Sequence, residues 1–302
     1  MAVSIGATQA RTGPRRGTSR PSGSVLRLAL ALPPVIYLLL LFLAPLSIML
    51  VYSLLTRSGL FVEPPWTLEN YRRFFDTAVY GRLLLKTFRI SVEMVALCVI
   101  IGFPVAYIIA RVVPPRWRLF MLALIIIPSW TSFIVRTYAF IIILNEQGPI
   151  NETLTGLGIT DQPLTLLYNE TAVLIGLLNV YVPWVVLPIY ASLSKIDDSL
   201  YEAAQDLGAG RLQLWRRVVI PLSMPGLIAG VFLSFIPALG TYATPLILGG
   251  RTATLYPNAI TSQFGANNWP FGAALAMILL LIVFGLLALY NRVGRVERIW
   301  TS

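Results

Sequence analysis

Six stretches of this chain carry no charged residue at all: 28–56, 94–110, 119–135, 171–194, 218–250 and 252–291. A helix needs roughly 20 apolar residues to cross the hydrocarbon core of a bilayer, and most of these runs reach that length. The two runs of 17 residues reach it by including one charge each, Glu93 and Arg136. Six spans are therefore expected, at 28–54, 88–110, 119–144, 171–193, 226–248 and 271–290. A transmembrane β-barrel would instead show segments of about ten residues with alternating polarity. The first apolar stretch is far longer than the h-region of a signal peptide, so it is expected to remain as a helix. Only 12% of the residues are charged, against about 25% in soluble domains. The expected fold is all-α, a polytopic membrane protein with six transmembrane helices.

Arg and Lys in the loops set the expected orientation. The N-terminal stretch holds Arg11, Arg15, Arg16, Arg20 and Arg27, and the loop 111–118 holds Arg111, Arg116 and Arg118. Loop 194–225 has Lys195, Arg211, Arg216 and Arg217, and the C-terminal end adds Arg292, Arg295 and Arg298. Loop 145–170 has no Lys or Arg but carries Glu146, Glu152, Asp161 and Glu170. Both termini are thus expected to be cytoplasmic. Loop 56–87 is the exception, with Arg57, Arg72, Arg73, Arg82 and Lys86 on the outer side. Its Tyr71, Phe74, Phe75 and Tyr80 fit either a short interfacial helix or an ordinary loop with buried aromatics, and the residues leave both open.

The net charge of +10 follows from this topology. The arginines are scattered at helix ends rather than along one face, so no nucleic-acid partner is expected. Cys98 is the single cysteine and lies inside a span, which excludes disulfides; the chain has no His, which excludes His-based catalysis and the common zinc motifs. No catalytic residue, cofactor or metal is expected. Residues 1–24, rich in Gly, Ser, Thr, Pro and Arg, have the composition of a disordered cytoplasmic tail. Residues 25–295 form the expected membrane domain, with 194–225 as its largest cytoplasmic connection and 296–302 as a second tail.

Prolines 183, 188, 221, 225, 237 and 245 crowd the fourth and fifth spans. Each removes a backbone donor, and the freed carbonyls need neighbours or cavity water. Gly226 and Gly230 form a small-xxx-small pair suited to close helix approach.

The loop 194–225 holds the most specific pattern. Ser199 followed by Glu202 reads as a capping box that would start a helix at Leu200. Leu200, Ala203, Ala204 and Leu207 fall at i, i+3, i+4 and i+7 and give one apolar face with small residues at its centre. Gly208 is placed to end the helix in the left-handed conformation. A second helical stretch, Arg211 to Arg217, precedes Pro221, which is expected to open the next span. Glu202-Ala203-Ala204, three residues, Gly208, nine residues, then Val218-Val219-Ile220-Pro221 resembles the EAA loop of ABC-importer permeases. In that family the loop is the coupling helix that seats in the nucleotide-binding subunit. The resemblance assigns ATPase docking to Glu202, Ala203, Ala204 and Gly208, with Asp206 and Arg211 at the rim.

The resemblance extends over roughly residues 28–290. Pro128-Ser129-Trp130, Arg136-Thr137-Tyr138-Ala139, Gly148-Pro149-Ile150-Asn151, Phe235 to Gly240, Leu248-Gly249-Gly250 and Asn268 to Gly272 are similar to spermidine/putrescine importer permeases. It implies an assembly of two permeases (the second a homologue), an ABC ATPase dimer and an external solute-binding protein, carrying a small-molecule solute across the bacterial inner membrane. The chain is not expected to be the ATPase. A Walker A motif needs Gly-Lys, and both lysines, Lys86 and Lys195, follow other residues.

A polycation crossing a bilayer should meet carboxylates or aromatic faces. Glu93 is the sole acidic residue well within an expected span, and Tyr181, Trp184 and Tyr242 are candidate aromatic faces; packing is the competing role for each ring. An ion-coupled secondary transporter is the alternative class, and it typically relies on intramembrane acidic or His relays that are nearly absent here.

Overall fold

The computed structural model describes residues 23–58, 61–63 and 66–299, with side chains described for 30–57 and 66–288. Expectations for residues 1–22 and 300–302 lie outside the described residues. The chain divides into two units at Ile48 and Met49. The boundary falls inside α1 (Gly23–Ser53), whose stretch Leu30–Ser53 is long and apolar enough to cross a membrane.

The second unit begins with a small antiparallel hairpin, β1 (Thr56–Ser58) and β2 (Phe61–Glu63), then α2 (Glu69–Asp76). The helix α3 (Ala78–Tyr107) starts ten residues before the expected second span and runs on through a π-helical turn, Ile108–Val112. Next come α4 (Pro115–Ile126), a 3₁₀ turn (Ile127–Trp130), α5 (Phe133–Leu144) and α6 (Pro149–Gly156). They are followed by α7 (Glu170–Leu193), α8 (Asp198–Asp206) and α9 (Arg211–Leu214). A second π turn (Trp215–Val219) leads into α10 (Ile220–Leu239), and the chain closes with α11 (Ala243–Leu248), α12 (Tyr256–Gly265) and α13 (Trp269–Ile299).

Among the described residues, five helices are long and apolar enough to span; a sixth span exists where two helices bent by 93° count as one. That pair, residues 115–130 and 133–156, replaces the third span expected at 119–144 with two helices that meet at a break. Pro128 supplies no N–H to continue the α ladder, and the Thr131 hydroxyl donates to the Pro128 carbonyl at 2.7 Å, taking an acceptor from it. The fifth span is corrected too. Its helix begins at Arg211, passes Pro221 without a break and ends at Leu239 rather than 248. The π turn makes this possible: the Ile220 N–H bonds to the Trp215 carbonyl five residues back, so the widened turn accommodates Pro221. Beyond Leu239, the Gly240 N–H tightens onto the Pro237 carbonyl at 3.1 Å and the chain turns into α11.

The core lies between α3, α7 and α10. Ile90, Met94 and Cys98 repeat every four residues on α3 and meet Val185, Val186, Ile189 and Leu193 of α7 in one buried cluster. Small residues let these backbones close up, as membrane helices require in the absence of a hydrophobic drive between them. A Cβ on Gly226 would stand 2.8 Å from Ser192 Cβ, and one on Gly230 would stand 3.1 Å from Val185 Cα. The Gly226/Gly230 pair therefore faces α7, as its spacing suggested.

Of the two readings left open for loop 56–87, the buried aromatics are found, and part of the loop is helical. It forms a short helix, α2, and its aromatics pack inward: Phe74 is buried with Tyr256, Phe271 and Leu275, and Tyr80 sits edge-on to Phe271 at 5.0 Å. Phe75 stays exposed. Several of its cations are already engaged. Lys86 pairs with Glu170 at 2.8 Å, Arg72 with Asp76 at 3.4 Å, and Arg73 lies over the Phe271 ring at 4.5 Å. The exception to the loop-charge rule thus carries its own local partners.

Candidate functional site: a docking helix and a broken span

The loop read as a candidate docking site is built from α8 outward. Asp197, not Ser199, is its N-cap: its carboxylate accepts the Ser199 N–H at 2.9 Å, and the helix starts at Asp198. A carboxylate caps at least as well as a hydroxyl and complements the positive helix end, so the earlier acidic residue wins over the expected Ser199–Glu202 box. That same N–H holds the Asp197 carboxyl below the usual carboxylate range.

The other end closes as expected. Gly208 adopts φ +78°, the Gly208 N–H bonds to the Gln205 carbonyl at 2.8 Å, and the Ala209 N–H reaches the Ala204 carbonyl at 3.0 Å. These are the two bonds of a Schellman motif, which glycine accommodates without a Cβ penalty. Gly210 then starts the next helix at Arg211, its N–H bonded to Gln213 Oε1 at 3.3 Å.

Which face is free decides what α8 can do. Tyr201 turns inward against the core cluster. The face of Leu200, Ala203, Ala204 and Leu207 turns the other way: Leu200, Ala203 and Leu207 are exposed and Ala204 is half-buried. Leu207 is 89% exposed and Leu212, just beyond the turn, 72%. Glu202, Asp206, Gly208 and Arg211 are exposed beside it. Among the described residues, the helix therefore presents a small, apolar face with charged edges and no covering segment. Contiguity brings the whole predicted docking set together.

The predicted path residues are not brought together. Glu93 is part-exposed on α3 and lies 3.7 Å from Arg89, which also pairs with Glu170. Tyr181 on α7 is buried in the core, whereas Trp184 is 50% exposed and Tyr242, in the break after α10, is 49% exposed. No hydrogen bond or ring contact joins any two of the four among the described residues.

Two polar residues in an apolar setting were missed. An open hollow of about 290 Å³ lies between the broken third span and α7, lined mostly by apolar residues such as Ile125, Leu178 and Val182, with Ser129 and Asn179 also on its wall. Ser129 Oγ is buried without a partner, and Asn179 is exposed ten residues into an apolar helix. Twelve helical residues of α4 and twelve of α5 flank the break, about 18 Å on either side at 1.5 Å per residue. A lone Asn inside a charge-free run was the available signal. Arg111 was also missed as more than a loop charge: it donates to Asp198 at 2.6 Å and lies over the Tyr201 ring at 4.5 Å.

Comparison with known proteins agrees with this architecture. The spermidine/putrescine transport system permease protein PotB of Escherichia coli is 38% identical over 245 residues, covering 80% of this chain and 88% of that protein. PotB of Haemophilus influenzae is 36% identical over 261 residues, covering 86% and 91%. Among solved structures, a bacterial ABC transporter involved in the import of alginate has the same fold, with a TM-score of 0.71 at 17% identity, over 90% of this chain and 96% of that one. Residues 102–295 match the sequence profile of the family described as binding-protein-dependent transport system inner membrane component. This chain is a multi-pass inner-membrane protein and belongs to that family.

Proposed function

We propose that this chain is a polyamine-importing permease subunit of an ABC transporter, providing half of the translocation pathway and docking a separate ATPase through α8. The observation that carries the docking is the free, small-residue face of a helix that is capped at both ends and exposed at Ala203 and Leu207. Unpartnered apolar surface of this kind marks an interaction site. Glu202, Ala203, Ala204 and Gly208 form its centre, and Asp206 and Arg211 its rim.

With the bent pair 115–156 crossing the membrane, the chain spans six times and both termini share the cytoplasmic side with α8. Irregular backbone at membrane depth is tolerated only inside protein or against a water-filled cavity. Ile127, Pro128 and Trp130 to Ser132 are exposed in the single chain. Their face therefore belongs to the pathway or to a second permease, a homologue of this chain, and not to lipid. Trp184 and Tyr242 offer the cargo π faces, Glu93 offers an anion, Ser129 and Asn179 add hydrogen-bonding groups, and buried Tyr181 stiffens the wall. The external partner is a solute-binding protein. The solute assignment to spermidine or putrescine rests on the names of the 36–38% identical relatives.

The test is ATP-dependent uptake of labelled spermidine by the assembled complex. Uptake that requires ATP and the binding protein is expected. Uptake driven by an ion gradient without ATP overturns the ABC reading, and ATP-dependent uptake of another solute instead overturns the polyamine part alone.

A further inference from the structure

Arg111 stands at the meeting point of three elements. It lies on the π turn that ends α3, and its side chain is 14% exposed. One terminal nitrogen, Nη1, donates to Asp198 Oδ1 at 2.6 Å, at the first turn of α8. The other, Nη2, donates to the carbonyls of Leu193 at 2.8 Å and Ile196 at 2.5 Å, where α7 ends. The guanidinium plane also covers the Tyr201 ring of α8, 4.5 Å from its centroid.

Physical chemistry makes this a joint rather than a decoration. The last carbonyls of a helix have no intrahelical donor, and a cation there satisfies them and complements the negative helix end. The first turn of the next helix welcomes the opposite charge, Asp198. A planar fork can serve both and stack on a ring at once, which a lysine ammonium cannot. The other arm of the loop is held by the same helix. Tyr107, one turn before Arg111, lies 4.5 Å from Trp215, and Phe103 lies 5.8 Å from it; Trp215 opens the second π turn, where the loop re-enters the membrane. Single π turns inside helices recur at functional sites.

We infer that Arg111 is the positioning residue through which displacement of the docking helix is passed to α3 and α7. This rests on α8 being the ATPase-docking element. Docking itself uses the outward face of α8, whereas Arg111 grips its inward face, so the two are separable. Loss of Arg111 leaves the ATPase seated and lets α8 move without carrying the membrane helices.

The experiment uses the complete complex in liposomes, with labelled spermidine as the probe, and measures bound ATPase, ATP hydrolysis and uptake together. In Arg111→Ala, bound ATPase and hydrolysis stay within twofold of wild type, and uptake per ATP falls at least tenfold. Arg111→Lys recovers only part of the loss. Tyr201→Phe, which keeps the ring beside Arg111, is indistinguishable from wild type, whereas Tyr201→Ala follows Arg111→Ala. An unchanged uptake-to-ATP ratio in Arg111→Ala overturns the inference, and so does an uptake loss matched by loss of bound ATPase. If Arg111→Ala does not assemble, Tyr201→Ala decides by the same ratio. A second readout needs no cargo: spin labels at Gln205→Cys, exposed on α8, and Leu85→Cys on α3. In Arg111→Ala the resting distance distribution at least doubles in width; an unchanged width overturns the inference even where spermidine proves not to be the solute. Failure of the docking reading has its own signature, an ATPase that stays bound when the outward face of α8 is altered.

Discussion

The Ala209 N–H folds back over Gly208 to the Ala204 carbonyl, 3.0 Å away, so the residue that closes the docking helix also belongs to its small-residue face. A Cβ at Gly208 would meet nothing within 4 Å, yet φ is +78°. Space is therefore not what demands glycine; backbone conformation is and, under the proposed docking, so is the partner surface.

These two demands can be separated. Gly208→Ala adds left-handed strain of about 1–2 kcal/mol, and faster amide exchange confined to α8 is expected. Gly208→Asp suits the conformation better but sets a carboxylate at the contact. It is expected to leave membrane protein levels unchanged while abolishing ATPase retention and uptake, as pull-down and transport assays would read.

The N-cap gives a pH signature. Because the folded-state pKa of Asp197 is lowered by the Ser199 N–H, its contribution is full above the unfolded carboxylate value, about 4. It is lost as pH falls through the folded value. Below that window amide exchange in α8 is expected to speed up in wild type. In Asp197→Asn, whose amide caps without titrating, exchange should show no such step.

Close packing of α10 on α7 predicts a graded response. Gly226→Leu drives side chain into Ser192 and the Pro188 carbonyl, costing about 1–3 kcal/mol as overpacking usually does. Gly230→Ala meets neighbours at 3.1–3.2 Å and is expected to cost less. Thermal melts of the purified complex rank the two.

On the path side, Asn179→Leu and Glu93→Gln are each expected to raise the KM for spermidine several-fold without changing ATPase binding. Unchanged uptake kinetics removes the residue from the pathway. Cys98 is fully buried, so a thiol introduced as Asn179→Cys can be probed alone. Reaction with a water-soluble thiol reagent places it in the pathway; no reaction places it against lipid.

Much of this was legible in residue order, because bilayer thickness and charge-free length are the same quantity. The spans near α3, α7 and α13 and the Gly208 turn follow from it and from turn chemistry. Hydropathy does not see an axis change, so Pro128 inside an apolar run hid the break in the third span. The helices α2 and α12 are short and amphipathic, and their apolar sides became evident only where Phe74 and Tyr256 meet. Spacing alone places the cap at Ser199; the Asp197 carboxylate, two residues earlier, takes that role. Arg111 was read as a loop charge because its partners, Leu193 to Tyr201, lie more than 80 positions away and depend on a π turn that no local pattern announces.

The most direct measurement is site-specific cross-linking from the docking face in the assembled transporter. Ala203→Cys in a Cys98→Ala background, treated with a short bifunctional thiol reagent, is expected to capture the ATPase subunit. Leu157→Cys, 70% exposed in loop 145–170, is expected to capture none of it. An ATPase adduct from Leu157 rather than Ala203, or from neither while the ATPase remains bound, would contradict both the docking assignment and the orientation of the chain.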